Sequence, residues 1–123
     1  MKKFLVLFAI TSIFVFSCKK EEVEEKTIEQ KTIDKTEPSC LIEKIKVFEG
    51  SACENSLKVK KYQFGNDNVY LFDISSCLAD AQLQVINYNC DSIGKVGGYP
   101  VNNKINGIDF YKNATFIKLV YEK

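Results

Sequence analysis

The chain has 123 residues, enough for one domain, with 17 lysines against 16 acidic residues and no arginine, histidine or tryptophan. Its formal charge of +1 becomes −1 once Lys2 and Lys3 are removed with an export segment, so no basic excess exists to neutralise a row of phosphates and nucleic acid is excluded as a partner. Without histidine no side chain titrates near neutrality for routine acid–base work, and without arginine there is no bidentate clamp for phosphate or carboxylate.

Met1-Lys2-Lys3 is a short positive start, and Phe4 to Phe16 is an apolar run broken only by Thr11 and Ser12. The run falls short of the roughly 20 residues that span a bilayer, which marks it as an export signal rather than a membrane helix. It ends in Val15-Phe16-Ser17-Cys18, which resembles a lipobox. The resemblance implies cleavage before Cys18, a diacylglycerol on its thiol and a further acyl chain such as palmitate on its amine. Two or three acyl chains anchor stably where one does not.

Lys19-Lys20-Glu21-Glu22 and then Val23-Glu24-Glu25 place an acidic cluster just behind that cysteine. The order resembles the surface-export signal of Bacteroidota lipoproteins. No Asp stands at position 19, the residue that retains many enterobacterial lipoproteins in the inner membrane. The expected location is therefore the outer membrane, lipid-anchored and surface-exposed. Residues 19–39 hold five Lys, seven acidic residues and only scattered apolar ones (Val23, Ile28, Ile33). Such a segment buries too little to offset its ordering entropy and reads as a flexible tether. The expected organisation is a signal at 1–17, lipidated Cys18 with its tether at 18–39, and a folded head at 40–123.

In the head, Leu41, Ile42, Ile45 and Phe48 form the stripe of a short amphipathic helix, with Ser39 at its start and Gly50 at its stop. Leu57 to Phe64 alternates with a phase slip at Lys60-Lys61, which suggests a β-bulge. Gly65-Asn66-Asp67-Asn68 is a turn, and Val69 to Ile74 is the return strand of a hairpin. Leu83 to Tyr88 and Thr115 to Tyr121 supply two further strands. Between them, Gly94 to Gly107 reads as a long, turn-rich loop, the kind of segment that carries function in small domains. The expected fold is α+β: one N-terminal helix packed on a four-stranded antiparallel sheet, stapled by two disulfides.

Cys40, Cys53, Cys77 and Cys90 are an even set in an exported chain. Zinc and redox chemistry both lack a C-x-x-C pair, and no metal or cofactor is expected. A hairpin turning at Gly65–Asn68 sets Cys77 across from residue 56, near Cys53. A turn near residues 79–80 sets Cys90 opposite Val69, at the far end of the strand from Cys77. Joining Cys40 to Cys53 would span a helix about 13 Å long, well beyond the roughly 7 Å limit on Cα separation. A helix antiparallel to the first strand brings Cys40 toward Cys90. The expected pairs are Cys53–Cys77 and Cys40–Cys90, each contributing about 3–4 kcal/mol in the chain-entropy view.

Cys40-Leu41-Ile42, Cys53, Val59-Lys60-Lys61-Tyr62-Gln63-Phe64, Val69-Tyr70-Leu71-Phe72-Asp73, Cys77, Cys90, Ile93-Gly94, Gly97-Gly98 and Asn106-Gly107-Ile108-Asp109-Phe110 follow one another in an order that resembles a family of small Bacteroidota lipoproteins of unknown function. The resemblance covers the whole head and supports location and fold. It supplies no catalytic residue.

Two functional classes compete. A non-catalytic binding module would present the loop residues Gly97, Gly98, Tyr99, Asn106 and Gly107 to a protein or glycan partner, with Tyr62, Tyr70, Tyr88, Tyr99 and Tyr111 as available aromatics and Tyr99 as the preferred exposed one. An enzyme would need carboxylates, for which Asp73, Asp80, Asp91 and Asp109 are the candidates, but nothing in their spacing pairs them. Aspartates at strand ends more often cap backbone amides, and the expectation is no enzyme. A structural or accessory envelope role is the remaining alternative. Asn66-Asp67-Asn68 lacks the EF-hand pattern for calcium. Asp91-Ser92-Ile93 resembles a Bacteroidota O-glycosylation acceptor, which makes Ser92 a candidate modified residue. Asn113-Ala114-Thr115 is an N-glycosylation sequon in form only.

Overall fold

A computed structural model describes residues 33–51 and 55–123. The export segment, Cys18, residues 19–32 of the tether and Cys53 lie outside the described residues. In chain order the elements are α1 (Ser39–Ser51), β1 (Lys58–Phe64), β2 (Asp67–Asp73), β3 (Gln82–Asn87), β4 (Ser92–Gly97), β5 (Lys104–Ile105), β6 (Ile108–Asp109), α2 (Phe110–Asn113) and β7 (Ala114–Glu122). Five of the strands form one antiparallel sheet in the order β4-β3-β2-β1-β7, and β5 pairs with β6 in a separate two-stranded sheet. No helix among the described residues is long and apolar enough to cross a membrane.

The expected α+β class stands, with five strands in the main sheet instead of four. The added strand is β4, which lies where the sequence reads as loop. Gly94 and Gly97 look like chain breakers, yet β4 pairs with β3 from Ile86↔Ser92 to Gln82↔Gly97. A register shift between Val85 and Ile86 leaves Ile93 as the extra residue of a bulge. At Gly94 a Cβ would lie 3.3 Å from Cγ1 of Ile105, so the missing side chain lets the β5–β6 hairpin pack onto β4.

Helix α1 buries Leu41 and Ile45 and half-buries Phe48, while Ile42 stays 43% exposed, so the working stripe is i, i+4, i+7. It starts just after Pro38, whose carbonyl accepts from the Leu41 amide at 3.0 Å, and it runs through Gly50 to Ser51 instead of stopping there. Its face meets Val59, Tyr70, Phe72, Ile86 and Val120, with Phe48 stacked on Phe72 at 4.3 Å. The opposite face of the sheet is apolar too. Val69, Leu71, Leu83, Val85 and Val96 bury themselves there under Ile105 and Phe110 of the β5–β6–α2 insert.

Two covered faces explain the phase slip in β1. Pairing of β1 with β2 is continuous from Lys58↔Asp73 to Phe64↔Asp67, so no bulge lies in that hairpin. Val59 serves the helix side, whereas Tyr62 and Phe64 serve the opposite side, and the apolar positions change face along the strand. The bulges sit between β1 and β7, where Ile117 and Val120 of β7 are skipped by the register. The hairpin turns at Gly65-Asn66 instead of over four residues, so Asp73 faces Lys58, and the chain turns after β2, with the amides of Cys77 and Leu78 both donating to the Ile74 carbonyl.

Cys40 and Cys90 form a disulfide with a Cα separation of 6.2 Å. Cys90 occupies the β3–β4 turn, so the bond ties the start of α1 to that turn, as the antiparallel-helix argument requires. The other end of the helix is tied to β7 by a hydrogen bond from Tyr121 Oη to Glu49 Oε1. One complete disulfide is seen among the described residues where two were expected. Cys77 is disulfide-bonded as well, with its partner outside the described residues.

The folded body also starts earlier than Cys40. Ile33 packs on the helix-side core and Glu37 is 7% exposed, so residues 33–38 lie against the sheet instead of belonging to a free tether. Charge composition hid this, because Glu37 is buried by pairing with lysines that lie far along the chain.

Candidate functional site

Two polar constellations stand out, one on each face of the sheet. On the helix side, the Glu37 side chain is fully buried and accepts three partners. Tyr70 Oη donates to its Oε2 at 2.6 Å, Lys61 Nζ lies 2.9 Å from Oε2, and Lys118 Nζ lies 2.7 Å from Oε1. Lys61 and Lys118 face each other across β1 and β7, and Tyr70 faces Lys61 across β1 and β2, so the sheet presents all three donors to one point. Burial pushes the Glu37 carboxyl up, but hydrogen bonds from Lys118, Tyr70 and Lys61 outweigh it and hold it below its ordinary value. Burial, then the bond to Glu37, pushes the Tyr70 phenol up. The three donors meet the carboxylate's demand for hydrogen bonds, an arrangement suited to fastening the chain.

The opposite face carries a cleft of about 550 Å³. It lies between the β1–β2 turn, the β5–β6 turn and the end of α2, and is lined by Phe64, Gly65, Asn66, Asp67, Val69, Asn87, Ile93, Asn106, Ile108 and Asn113. Hairpin geometry builds it. The Gly65-Asn66 turn projects past the end of the sheet, and Asn106 and Gly107, at φ 52° and 80°, make the tight turn that holds Asn106 out between β5 and β6. Phe110, fully buried, fixes the insert by edge and tilted contacts with Tyr62 and Phe64 at 5.3 and 5.4 Å. Asp109 caps α2 by accepting from the Lys112 amide, which sets Asn113 at the rim.

The five residues expected to form one binding loop divide between two places. Asn106 lines the cleft with Gly107 beside it, whereas Gly97, Gly98 and Tyr99 sit at the other end of β4, about 13 Å along the strand from Ile93. Tyr99 is 87% exposed and joined to Pro100 by a cis peptide. Of the other tyrosines offered as contacts, Tyr70 is buried, Tyr62 is half-buried, and Tyr88 and Tyr111 are about half exposed. Ser92 is exposed at the start of the edge strand β4.

The four candidate aspartates do not converge on one point. Asp73 pairs with Lys60 at 2.7 Å and accepts from the amide and hydroxyl of Ser75. Asp91 shares the β3–β4 turn with Asn87, Asp109 caps α2, and Asp80 is exposed beyond β2. Among the described residues, no group of three or more His, Cys, Asp or Glu side chains is placed to hold a metal ion.

Sequence reasoning missed Glu37, Lys61 and Lys118, which carry no local pattern. It noted Asn66 as a turn residue and as part of a segment lacking the calcium-loop pattern, and Asn113 only as part of a sequon. What joins these two with Asn106 is the folding of the β5–β6–α2 insert over the end of the hairpin, which no short-range signal encodes.

Residues 46–123 match the model of a family described as a domain of unknown function (DUF6970). No curated protein and no solved structure matches the chain.

Proposed function

The chain belongs to the DUF6970 family, a domain of unknown function, and from that premise we propose that it is a lipid-anchored, non-catalytic binding module of the outer envelope. The observation that carries this reading is the cleft lined by Asn66, Asn106 and Asn113 on the face of the sheet opposite α1. Residues 33–38 run over the α1 side, fastened there by Glu37. An anchor at Cys18 would therefore lead into that side and leave the cleft free to meet a partner. Disulfide stapling suits an exported domain this small, whose core alone gives marginal stability. A second bond, Cys53–Cys77, completes the staple in this proposal and uses the disulfide-bonded state of Cys77. The surface side of the outer membrane is the proposed address, on the Lys19–Glu25 pattern.

Two measurements test the reading. Radiolabelled palmitate is expected in the wild-type chain and not in Cys18→Ala. The mature, disulfide-intact protein is then immobilised and challenged with envelope and culture fractions, beside a variant carrying Asn66→Ala and Asn106→Ala. A component retained by the wild type and released by the variant supports the binding module. Retention that ignores the cleft, or none in any fraction, rejects it in favour of an accessory envelope role.

A further inference from the structure

We propose that the ligand of the cleft is a neutral, hydroxyl-rich sugar chain, with one ring seated among the side-chain amides and the next laid along an adjoining aromatic row. This rests on the binding-module reading and adds the chemical class of the ligand.

The polar lining is mostly amide. Asn66, Asn106 and Asn113 contribute carboxamides, Asn87 a fourth whose two ends are already bonded to Asp91, and Asp67 a carboxylate, and no lysine lines the space. A carboxamide offers donor and acceptor in one plane, which neighbouring hydroxyls complement by accepting from one atom and donating to the other. A phosphate or carboxylate ligand would call for a cation, and none is in the lining. Asn66 and Asn106 make no side-chain hydrogen bond within the described residues, so their amides are free for a ligand. Asn113 is pre-set: its Nδ2 donates to the Asp109 carbonyl at 2.7 Å, which fixes the plane and leaves Oδ1 as an acceptor. Phe64, Val69, Ile93 and Ile108 give the apolar lining that the C–H faces of a sugar ring require.

The same face continues past the cleft. Tyr62 lies two residues from Phe64 on one side of β1, about 7 Å away along the strand. It meets Phe116 of β7 edge-on at 5.5 Å, and Phe116 is 54% exposed. Phe116 is therefore the exposed end of an aromatic row that starts at Phe64 in the cleft wall and runs through the half-buried Tyr62, an arrangement that suits a chain of rings better than a single one.

A peptide fits less well. Strand addition needs a straight open edge, but β4 carries a bulge at Ile93 and its end is bridged by Gly97↔Asn102, while β7 carries two bulges. Docking of an amphipathic helix needs a continuous apolar groove, and here the rim is amide.

The test uses the mature, disulfide-intact chain labelled with 15N at asparagine. The probes are the disaccharides and hexasaccharides of cellulose, amylose, mannan and xylan, with hexagalacturonic acid as the acidic control. Saturable shifts of the Asn66 and Asn106 side-chain amides by at least one neutral hexasaccharide are expected, with weaker binding of its disaccharide. Asn66→Ala with Asn106→Ala should weaken that binding by about 10-fold or more, the equivalent of two lost hydrogen bonds. Phe116→Ala should abolish the gain from disaccharide to hexasaccharide while the disaccharide still binds, with thermal unfolding confirming that both variants fold. If no neutral probe moves those amides, or only the acidic one does, the sugar assignment is overturned. A protein whose capture depends on Asn66 and Asn106, in the absence of any sugar shift, removes the sugar and keeps the binding module. Neither result would remove both.

Discussion

Tyr70 and Glu37 lie 33 residues apart, and the phenol of the first donates a 2.6 Å hydrogen bond to the carboxylate of the second inside the folded body. Tyr70 is fully buried at the centre of β2, so the segment ahead of α1 is fastened to the middle of the sheet. The carboxylate also neutralises Lys61 and Lys118, which face each other on neighbouring strands and would otherwise repel.

Removing the acceptor should therefore cost more than removing one donor. Glu37→Ala leaves the buried Tyr70 hydroxyl without a partner, takes the carboxylate from Lys61 and leaves Lys118 only its 3.4 Å contact with Asp34, and should lower stability by about 3 kcal/mol, or roughly 10–20 °C in Tm. Tyr70→Phe removes one bond to a carboxylate that keeps both lysines and should cost about 1.5 kcal/mol. Thermal melts of the two variants decide it: a Glu37→Ala loss no larger than that of Tyr70→Phe would show that the segment is not fastened by this carboxylate.

The same groups set the pH limits of the fold. Glu37 and Asp73 are both held below their ordinary values, Glu37 by its three donors and Asp73 by Lys60 and Ser75, in each case against burial. A depressed carboxyl contributes stability that is fully present above its unfolded value, here 4.5 and 3.8, and that is lost as pH falls through the lower folded value. Tyrosines act in the opposite direction. Burial, then the Glu49 carboxylate, pushes Tyr121 up to about 12, and Tyr70 is raised by burial and Glu37. Their contribution holds below the unfolded value of 10.0 and falls as pH rises above it. Stability from urea titrations should be flat between about pH 5 and 9.5 and decline on both sides. Glu37→Gln should flatten the acid limb, and an unchanged limb in that variant would assign it to other carboxyls.

Much of this architecture is legible in the sequence. The helix stripe at Leu41, Ile45 and Phe48, the hairpin at Gly65-Asn66 and the final strand follow from local periodicity, and Cys40–Cys90 follows from the direction a short helix must take across a hairpin. What escaped was long-range. Strand β4 reads as loop because of its glycines, and one of them, Gly94, makes room for Ile105, which packs from eleven residues downstream. The β1 phase slip reads as a bulge because one strand serves two covered faces, a fact that depends on the insert above it. Glu37 reads as tether because charge pattern cannot show that a carboxylate has two lysines and a tyrosine waiting on the sheet. The cleft is hidden for the same reason, since its asparagines come from the β1–β2 turn, the end of β3, the β5–β6 turn and the end of α2.

Cys40–Cys90 closes a separation of 50 residues, for which chain entropy gives about 4 kcal/mol. Cys40→Ser with Cys90→Ser should lower stability by about that amount, enough to leave a domain this small marginal at 37 °C. A non-reduced peptide map of the wild type should return Cys40 joined to Cys90 and Cys77 joined to Cys53. A fragment linking Cys40 to Cys53 would contradict the helix geometry and the staple together.

Gly97 and Gly98 separate two kinds of steric cost. Both hold nearly the same backbone conformation, with φ of 80° and 81°, so an added Cβ brings similar left-handed strain of about 1–2 kcal/mol to each. Distance alone ranks Gly98 as the worse site, because its Cβ would lie 2.6 Å from Gln82 Cγ, against 3.2 Å from the Ala81 carbonyl oxygen at Gly97. The neighbours differ in what they can do. Gln82 is an exposed, flexible side chain that can turn into another rotamer, whereas the Ala81 oxygen belongs to the backbone leading into β3 and cannot move without disturbing the strand. Gly97→Ala should therefore cost about 2–3 kcal/mol and Gly98→Ala about 1–2 kcal/mol, the reverse of the order set by contact distance. Chemical denaturation of the two variants gives the ranking directly. A larger loss at Gly98 would mean that Gln82 is held in place, and that the end of β4 near Tyr99 is stiffer than its exposure implies.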